Sequence, residues 1–179
     1  YLHLFATKQP DLNWTNPAVR KAVFDMMTWW CEQGIDGFRM DVINLISKPE
    51  QFTDDPYIVE HPNGSSLGFI ANGPHVHEYL REMNQTVLSK YDLITVGEAP
   101  GVTPVLAEKY TGFDRHELEM VFQFKHMGRA DDPQFGKWSL HRPKLTDLKR
   151  VLSEWQSDLH GKAWNSLYWD NHDQPRAVS

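Results

Sequence analysis

Three long stretches with helical spacing alternate with short apolar runs, and three of those runs lead into a carboxylate. No other feature of the 179-residue chain constrains its fold as much. Asn16-Pro17 opens the first helix, since asparagine accepts from the free N–H groups of a first turn and proline's fixed φ suits it. Val19, Val23, Met26, Met27 and Trp30 follow at helical spacing and predict one buried stripe, closed by Gly34. Gly73-Pro74 opens a second helix with Val76, Tyr79, Leu80, Met83 and Val87 on one face. A third sets Leu148, Val151, Leu152, Trp155 and Leu159 together, and Thr103-Pro104 caps a shorter one reaching about Tyr110. Between them, Gly34 to Asn44, Tyr91 to Glu98, Met120 to Phe124 and Ala163 to Trp169 read as strands.

Strands alternating with helices mean parallel β/α units, with chemistry at the carboxyl ends of the strands. A closed (β/α)8 barrel takes roughly 250 residues. The chain holds about four such units, so the expected fold class is α/β, a fragment of a (β/α)8 TIM barrel comprising about strands 4 to 7 with their helices. It starts at Tyr1 without a methionine and stops abruptly at Ser179, which reads as truncation at both ends. Residues 47 to 73 lack a period and are rich in Pro, Asp, Asn, Gly and Ser; a loop of that length in a compact domain is functional or disordered.

Eighteen Lys and Arg against 24 Asp and Glu leave a net charge of −6. That balance argues against a nucleic-acid partner, which demands a basic face. No apolar run is long enough to span a membrane as a helix. Cys31, the single cysteine, permits no internal disulfide and reads as a small buried hydrophobe on the first helix. A cytoplasmic location is expected from that lone cysteine together with the habit of the family named below.

Three acids stand where strand-end chemistry would be. Arg39 and Asp41 are two residues apart on a strand and so share a face; a guanidinium beside a carboxylate depresses its pKa and keeps it ionised, as a nucleophile in sugar chemistry must be. The plain alternative is an ion pair closing a core strand. Glu98 lies between Gly97 and Ala99-Pro100, a tight apolar setting that raises a carboxyl pKa as a proton donor requires, unless it is a solvent-facing strand-end acid. Asp173 follows His172, and the pair could bind hydroxyls and stabilise an oxocarbenium-like transition state. A zinc site lacks a second histidine at ligand spacing, and a serine nucleophile lacks its Gly-x-Ser-x-Gly elbow. His75 and His77 read as surface or capping residues. The tryptophans read as core, with Trp14 and Trp169 as further candidates for stacking on sugar faces.

Taken together, Gln9-Pro10-Asp11-Leu12-Asn13, Gly37-Phe38-Arg39-Met40-Asp41, Val96-Gly97-Glu98 and Asn171-His172-Asp173-Gln174-Pro175-Arg176 resemble the α-amylase superfamily, glycoside hydrolase family 13. They resemble in particular its oligo-1,6-glucosidase and α-glucosidase branch, in order and along essentially the whole chain. The resemblance implies Asp41 as nucleophile, Glu98 as general acid/base and Asp173 as transition-state stabiliser. Arg39 would orient the nucleophile, and His172 would contact hydroxyls of the sugar at the cleaved position. Arg176, within the last motif, joins them as a substrate-binding candidate. Residues 1–13 would be the tail of the small domain inserted after the third strand, and 14–179 the partial catalytic barrel.

Branch members preferring α-1,6 links carry valine directly after the nucleophile, here Val42, where α-1,4 relatives have alanine or threonine. Pro100, two residues after the acid, looks like the short-oligosaccharide enzymes. Isomaltose-like substrates are therefore expected, with maltose and trehalose-6-phosphate as alternatives. The stretch Met127 to Asp132 is a poor match to the Arg/Asp-rich loop of sucrose isomerases, so isomerisation is not expected. The family also includes a non-catalytic relative, the amylase-like heavy chain of some transporters, but all three acids stand here. The chemistry requires no cofactor, and the family's usual calcium site falls in sequence outside this chain. The expected partner is a small α-glucoside, with neither nucleic acid nor a membrane, and the truncated chain by itself is expected to be inactive.

Overall fold

A computed structural model describes residues 1–51, 70–127, 144–174 and 176. Its elements are α1 (Pro17–Glu32), β1 (Gly37–Met40), α2 (Val76–Thr86), β2 (Ile94–Glu98), α3 (Pro104–Thr111), β3 (Met120–Phe122) and α4 (Leu145–Leu159), with 3₁₀ turns at Ile43–Leu45 and Leu88–Lys90. The strands form one sheet in the order β1-β2-β3. β2 runs parallel to β3, with Val96 opposite Met120, Gly97 opposite Val121 and Glu98 opposite Phe122. A parallel pair needs a crossover connection, and α3 supplies it. The chain divides into two compact units, Tyr1–Phe38 with Asn44–Ile94, and Arg39–Ile43 with Thr95–Ser179.

In the first unit, α1 starts where its cap dictates: Asn16 Oδ1 accepts from the Ala18 N–H at 2.9 Å, with Pro17 as the first helical residue. It ends before Gly34, whose φ of +87° is a left-handed turn suited to glycine. Its buried face is not the expected stripe. Phe24, Met27 and Cys31 are buried, while Met26 and Trp30 remain 49% and 45% exposed. Positions 24, 27 and 31 form a continuous i, i+3, i+7 seam, and Phe24 meets Trp14 edge-on at 6.4 Å between ring centroids. The helix carries more apolar residues than one face can bury, so spacing alone misplaces the seam. On α2, Val76, Tyr79, Leu80 and Met83 are buried, as is Val87 beyond it, in line with the spacing. Arg20 Nε donates to Glu82 Oε2 at 2.6 Å and ties α1 to α2.

Trp14 packs against Phe24 and Tyr79, a core role. His75 occupies the position before α2 without a side-chain capping bond, its Nδ1 lying 2.9 Å from Glu78 Oε2. Cys31 is buried, and that burial raises its thiol pKa. Asp11 holds the opening segment, accepting from the Leu4 N–H at 2.8 Å and pairing with Lys48 at 2.7 Å.

In the second unit, α3 begins on Thr103, whose Oγ1 accepts from the Leu106 N–H at 3.3 Å, and packs on β3 and α4. α4 buries Val151, Trp155 and Leu159. The expected strand Ala163 to Trp169 does not form as a ladder. Among the described residues, Ala163 alone pairs, in an isolated antiparallel bridge with Gly112. Trp164, Leu167 and Trp169 are more than half exposed, so the segment lacks the burial that makes a pleated strand worth forming.

Glycine at 97 is a packing requirement. A Cβ there would lie 2.7 Å from Ile43 Cγ2 and 2.9 Å from Leu118 Cδ1. Gly97→Ala is therefore expected to destabilise the full-length protein by about 1–3 kcal/mol through overpacking, read as a lower midpoint in chemical denaturation. An unchanged midpoint would mean that Ile43 and Leu118 yield at no cost. No helix among the described residues is long and apolar enough to cross a membrane.

Candidate active site

The sheet delivers the site residues, all within the second unit. Arg39 is the third residue of β1, and Asp41 follows its last; the pleat sends both to one face. Glu98 closes β2, and the parallel register places it opposite Phe122, the last residue of β3. One guanidinium joins the two acids. Arg39 Nη1 donates to Asp41 Oδ1, and its Nη2 donates to Glu98 Oε2 at 2.6 Å. Its Cζ lies 5.5 Å from the centroid of the Phe122 ring.

The two carboxyls differ in setting. The Asp41 side chain is 75% exposed, whereas that of Glu98 is 8% exposed. The hydrogen bond from Arg39 holds Asp41 below the usual carboxylate range. Burial pushes Glu98 above it, and the neighbouring Asp41 adds to the rise. Near neutrality this arrangement favours one charged acid beside one that binds its proton more tightly. A nucleophile paired with a proton donor requires a difference of this sign.

Glu98 Oε2 also accepts from the Val42 main-chain N–H at 3.2 Å. Val42 has a φ of +36°, a left-handed conformation that costs a β-branched residue about 1–3 kcal/mol.

A pocket of about 220 Å³ is lined by Arg39 and Phe122 from the sheet and by Ser166, Tyr168, Asp170, Asn171 and His172 from the C-terminal segment. Drug-sized ligands fill about 300–1,000 Å³, so this one suits a single sugar ring. Its aromatic wall is braced from behind. Tyr168 meets Phe122 edge-on at 5.2 Å and donates its hydroxyl proton to the Gln123 carbonyl at 2.6 Å. Gln123 Nε2 in turn reaches His126 Nδ1 at 3.0 Å, and His126 stands edge-on to Tyr168 at 4.7 Å. Burial lowers the pKa of that imidazole and raises that of the Tyr168 phenol.

Thus Arg39, Asp41, Val42 and Glu98 are brought together, and His172 lines the adjoining pocket and adds to the lowering of the Asp41 pKa. Asp173 does not line it: its side chain is 56% exposed, 3.5 Å from His172 Nε2. Its N–H is taken by Asn171 Oδ1 at 3.0 Å, a local turn that carries the residue past the pocket wall. Pro100, half-buried after β2, and exposed Arg176 stand outside the lining, as does exposed Trp169. Gly128 to Asp132, weighed for isomerisation, lie outside the described residues. Phe122, Ser166 and Tyr168 were not singled out from sequence; their signal was alternation within the last two apolar runs. Among the described residues, no three His, Cys, Asp or Glu gather as a metal ion would require.

A family model for the α-amylase catalytic domain matches residues 1–179. An alpha-glucosidase of Pediococcus pentosaceus is 57% identical over 181 residues, covering all of this chain and 32% of the relative. An oligo-1,6-glucosidase of Halalkalibacterium halodurans is 56% identical with the same coverage. A crystal structure of trehalose-6-phosphate hydrolase from Bacillus licheniformis superimposes with a TM-score of 0.89 at 50% identity, over all of this chain and 31% of that one. The chain therefore spans about a third of the length of the proteins it matches. Its parallel sheet and helices are part of a (β/α)8 barrel.

Proposed function

Because this chain belongs to the α-amylase catalytic-domain family, we propose that the protein of which it forms part is a retaining α-glucosidase. It hydrolyses α-1,6-glucosidic bonds at the non-reducing end of short isomalto-oligosaccharides. The observation that carries the reading is Arg39 binding two carboxyls whose pKa values are displaced in opposite directions. Asp41 attacks the anomeric carbon while Glu98 gives its proton to the departing oxygen. Glu98 then deprotonates a water that releases α-glucose. Arg39 keeps the nucleophile ionised, and His172 binds sugar hydroxyls. Asp173 enters as transition-state stabiliser, and Arg176 and Pro100 as substrate contacts, through their motifs alone. The chemistry runs without a cofactor.

The α-1,6 preference rests on Val42 and Pro100, and the relative named an oligo-1,6-glucosidase supports it. Trehalose-6-phosphate is the second reading, favoured by the likeness to a trehalose-6-phosphate hydrolase. The test is hydrolysis by the full-length protein of isomaltose, maltose and trehalose-6-phosphate in parallel, with Asp41→Asn as the blank. Fastest release of glucose from isomaltose is expected, lost in the variant. A preference for either other substrate would keep the mechanism and overturn the linkage. No turnover of any of them would place a non-catalytic module first.

A further inference from the structure

The residue after Asp41 has a main chain that points away from its own strand's business. The Val42 N–H, at the end of β1, points to the end of β2 and meets Glu98 Oε2 at 3.2 Å, and the chain then turns away at a φ of +36°. The same oxygen takes Arg39 Nη2 at 2.6 Å, so two donors of different origin fix one carboxyl oxygen. The Glu98 side chain is 8% exposed, which leaves water little access to replace either donor. The direction of that N–H is set by the peptide plane that Asp41 shares with Val42, while the left-handed φ turns the chain that follows and persists at a valine only where its surroundings hold it.

We propose that Val42 is a positioning residue whose main-chain N–H, at the turn that follows β1, holds the Glu98 carboxyl in its working orientation beside Asp41. The inference rests on Glu98 being the acid/base of the proposed reaction. It adds a role independent of the Val42 side chain. The charged or titratable groups facing Glu98 are Arg39 from β1, Asp41 after it and Tyr168 from the C-terminal segment, with His172 acting on Asp41. A donor to a carboxylate favours its charged form, so losing the Val42 N–H makes Glu98 hold its proton more tightly.

The test replaces Val42 in the full-length protein by its α-hydroxy analogue, turning the amide between residues 41 and 42 into an ester without the N–H. Val42→Gly is made alongside; it keeps the N–H and accepts a left-handed φ. Two readouts are taken: the alkaline limb of kcat/KM on isomaltose, and titration of the Glu98 carboxyl by carbon NMR with labelled glutamate, assigned through Glu98→Gln. The ester is expected to raise both by about half to one pH unit and to lower kcat about tenfold. Val42→Gly is expected to leave the Glu98 titration unchanged. An ester without effect, or a glycine variant that shifts Glu98 as far, overturns the proposal; if the ester does not fold, the glycine result decides. A shifted titration in a protein that turns over no glucoside would overturn the acid/base reading while the positioning stands.

Discussion

Replacing Glu98 by glutamine in the full-length protein is expected to lower kcat on isomaltose by about 10²–10⁴-fold, the usual contribution of a general acid. Glutamine keeps the length of the side chain, and its carbonyl oxygen accepts from both Arg39 Nη2 and the Val42 N–H, the two bonds that Oε2 accepts now. The fold therefore stays intact and the proton alone is lost. Activated aryl α-glucosides, whose leaving groups depart without protonation, should lose far less in the first step. Azide, which needs no general base, should restore the second step and give the retained glucosyl azide. Steady-state kinetics on isomaltose and on 2,4-dinitrophenyl α-glucoside make the comparison. Equal losses on both substrates would take the acid role away from Glu98.

Arg39→Lys carries the next largest effect, a fall in kcat/KM of about 10²-fold. A guanidinium presents a planar fork, and here one prong meets Asp41 and the other Glu98. A lysine ammonium is a single point on a flexible stem and serves one carboxyl at a time. The sign in pH follows from the direction of the shift. The Arg39 hydrogen bond holds Asp41 below its ordinary range, so losing it lets the Asp41 pKa climb. The acid limb of the kcat/KM profile, where the nucleophile must be ionised, then moves to higher pH. The two limbs belong to the coupled pair, so both are fitted together. An acid limb that stays in place would mean that Glu98 and His172, rather than Arg39, set the charge on Asp41.

The parts legible from sequence were those governed by local rules. Asn16, Thr103 and Gly34 mark helix ends because capping is a matter of a few adjacent atoms. Arg39 and Asp41 share a face because strands alternate. Other parts depend on partners distant in sequence. The seam of α1 settled on Phe24, Met27 and Cys31 because the chain decides which apolar face to cover, not the helix itself. The run from Ala163 to Trp169 has the composition of a strand, yet among the described residues it pairs at Ala163 alone. The left-handed turn at Val42 runs against the preference of its own side chain, so no local rule predicts it. It appears where residues meet across the sheet, which is where sequence patterns and function part company.

The pocket has a floor and a wall of different construction. The floor, Arg39 and Phe122 with the acids beside them, stands on strands locked into register. The wall at Ser166 and Tyr168 stands on a segment outside that ladder, tied by the Tyr168 phenol on the Gln123 carbonyl, by His126 on the Tyr168 main chain and by the bridge at Ala163. Such a wall can be rebuilt by substitution or insertion without unzipping a ladder, whereas a change in the floor disturbs the residues that the proposed reaction uses. Tinkering with this chain, by selection or by hand, therefore has an inexpensive side and a costly one. New pocket shapes are to be sought by recasting residues 164–169, with the acids and His172 left alone.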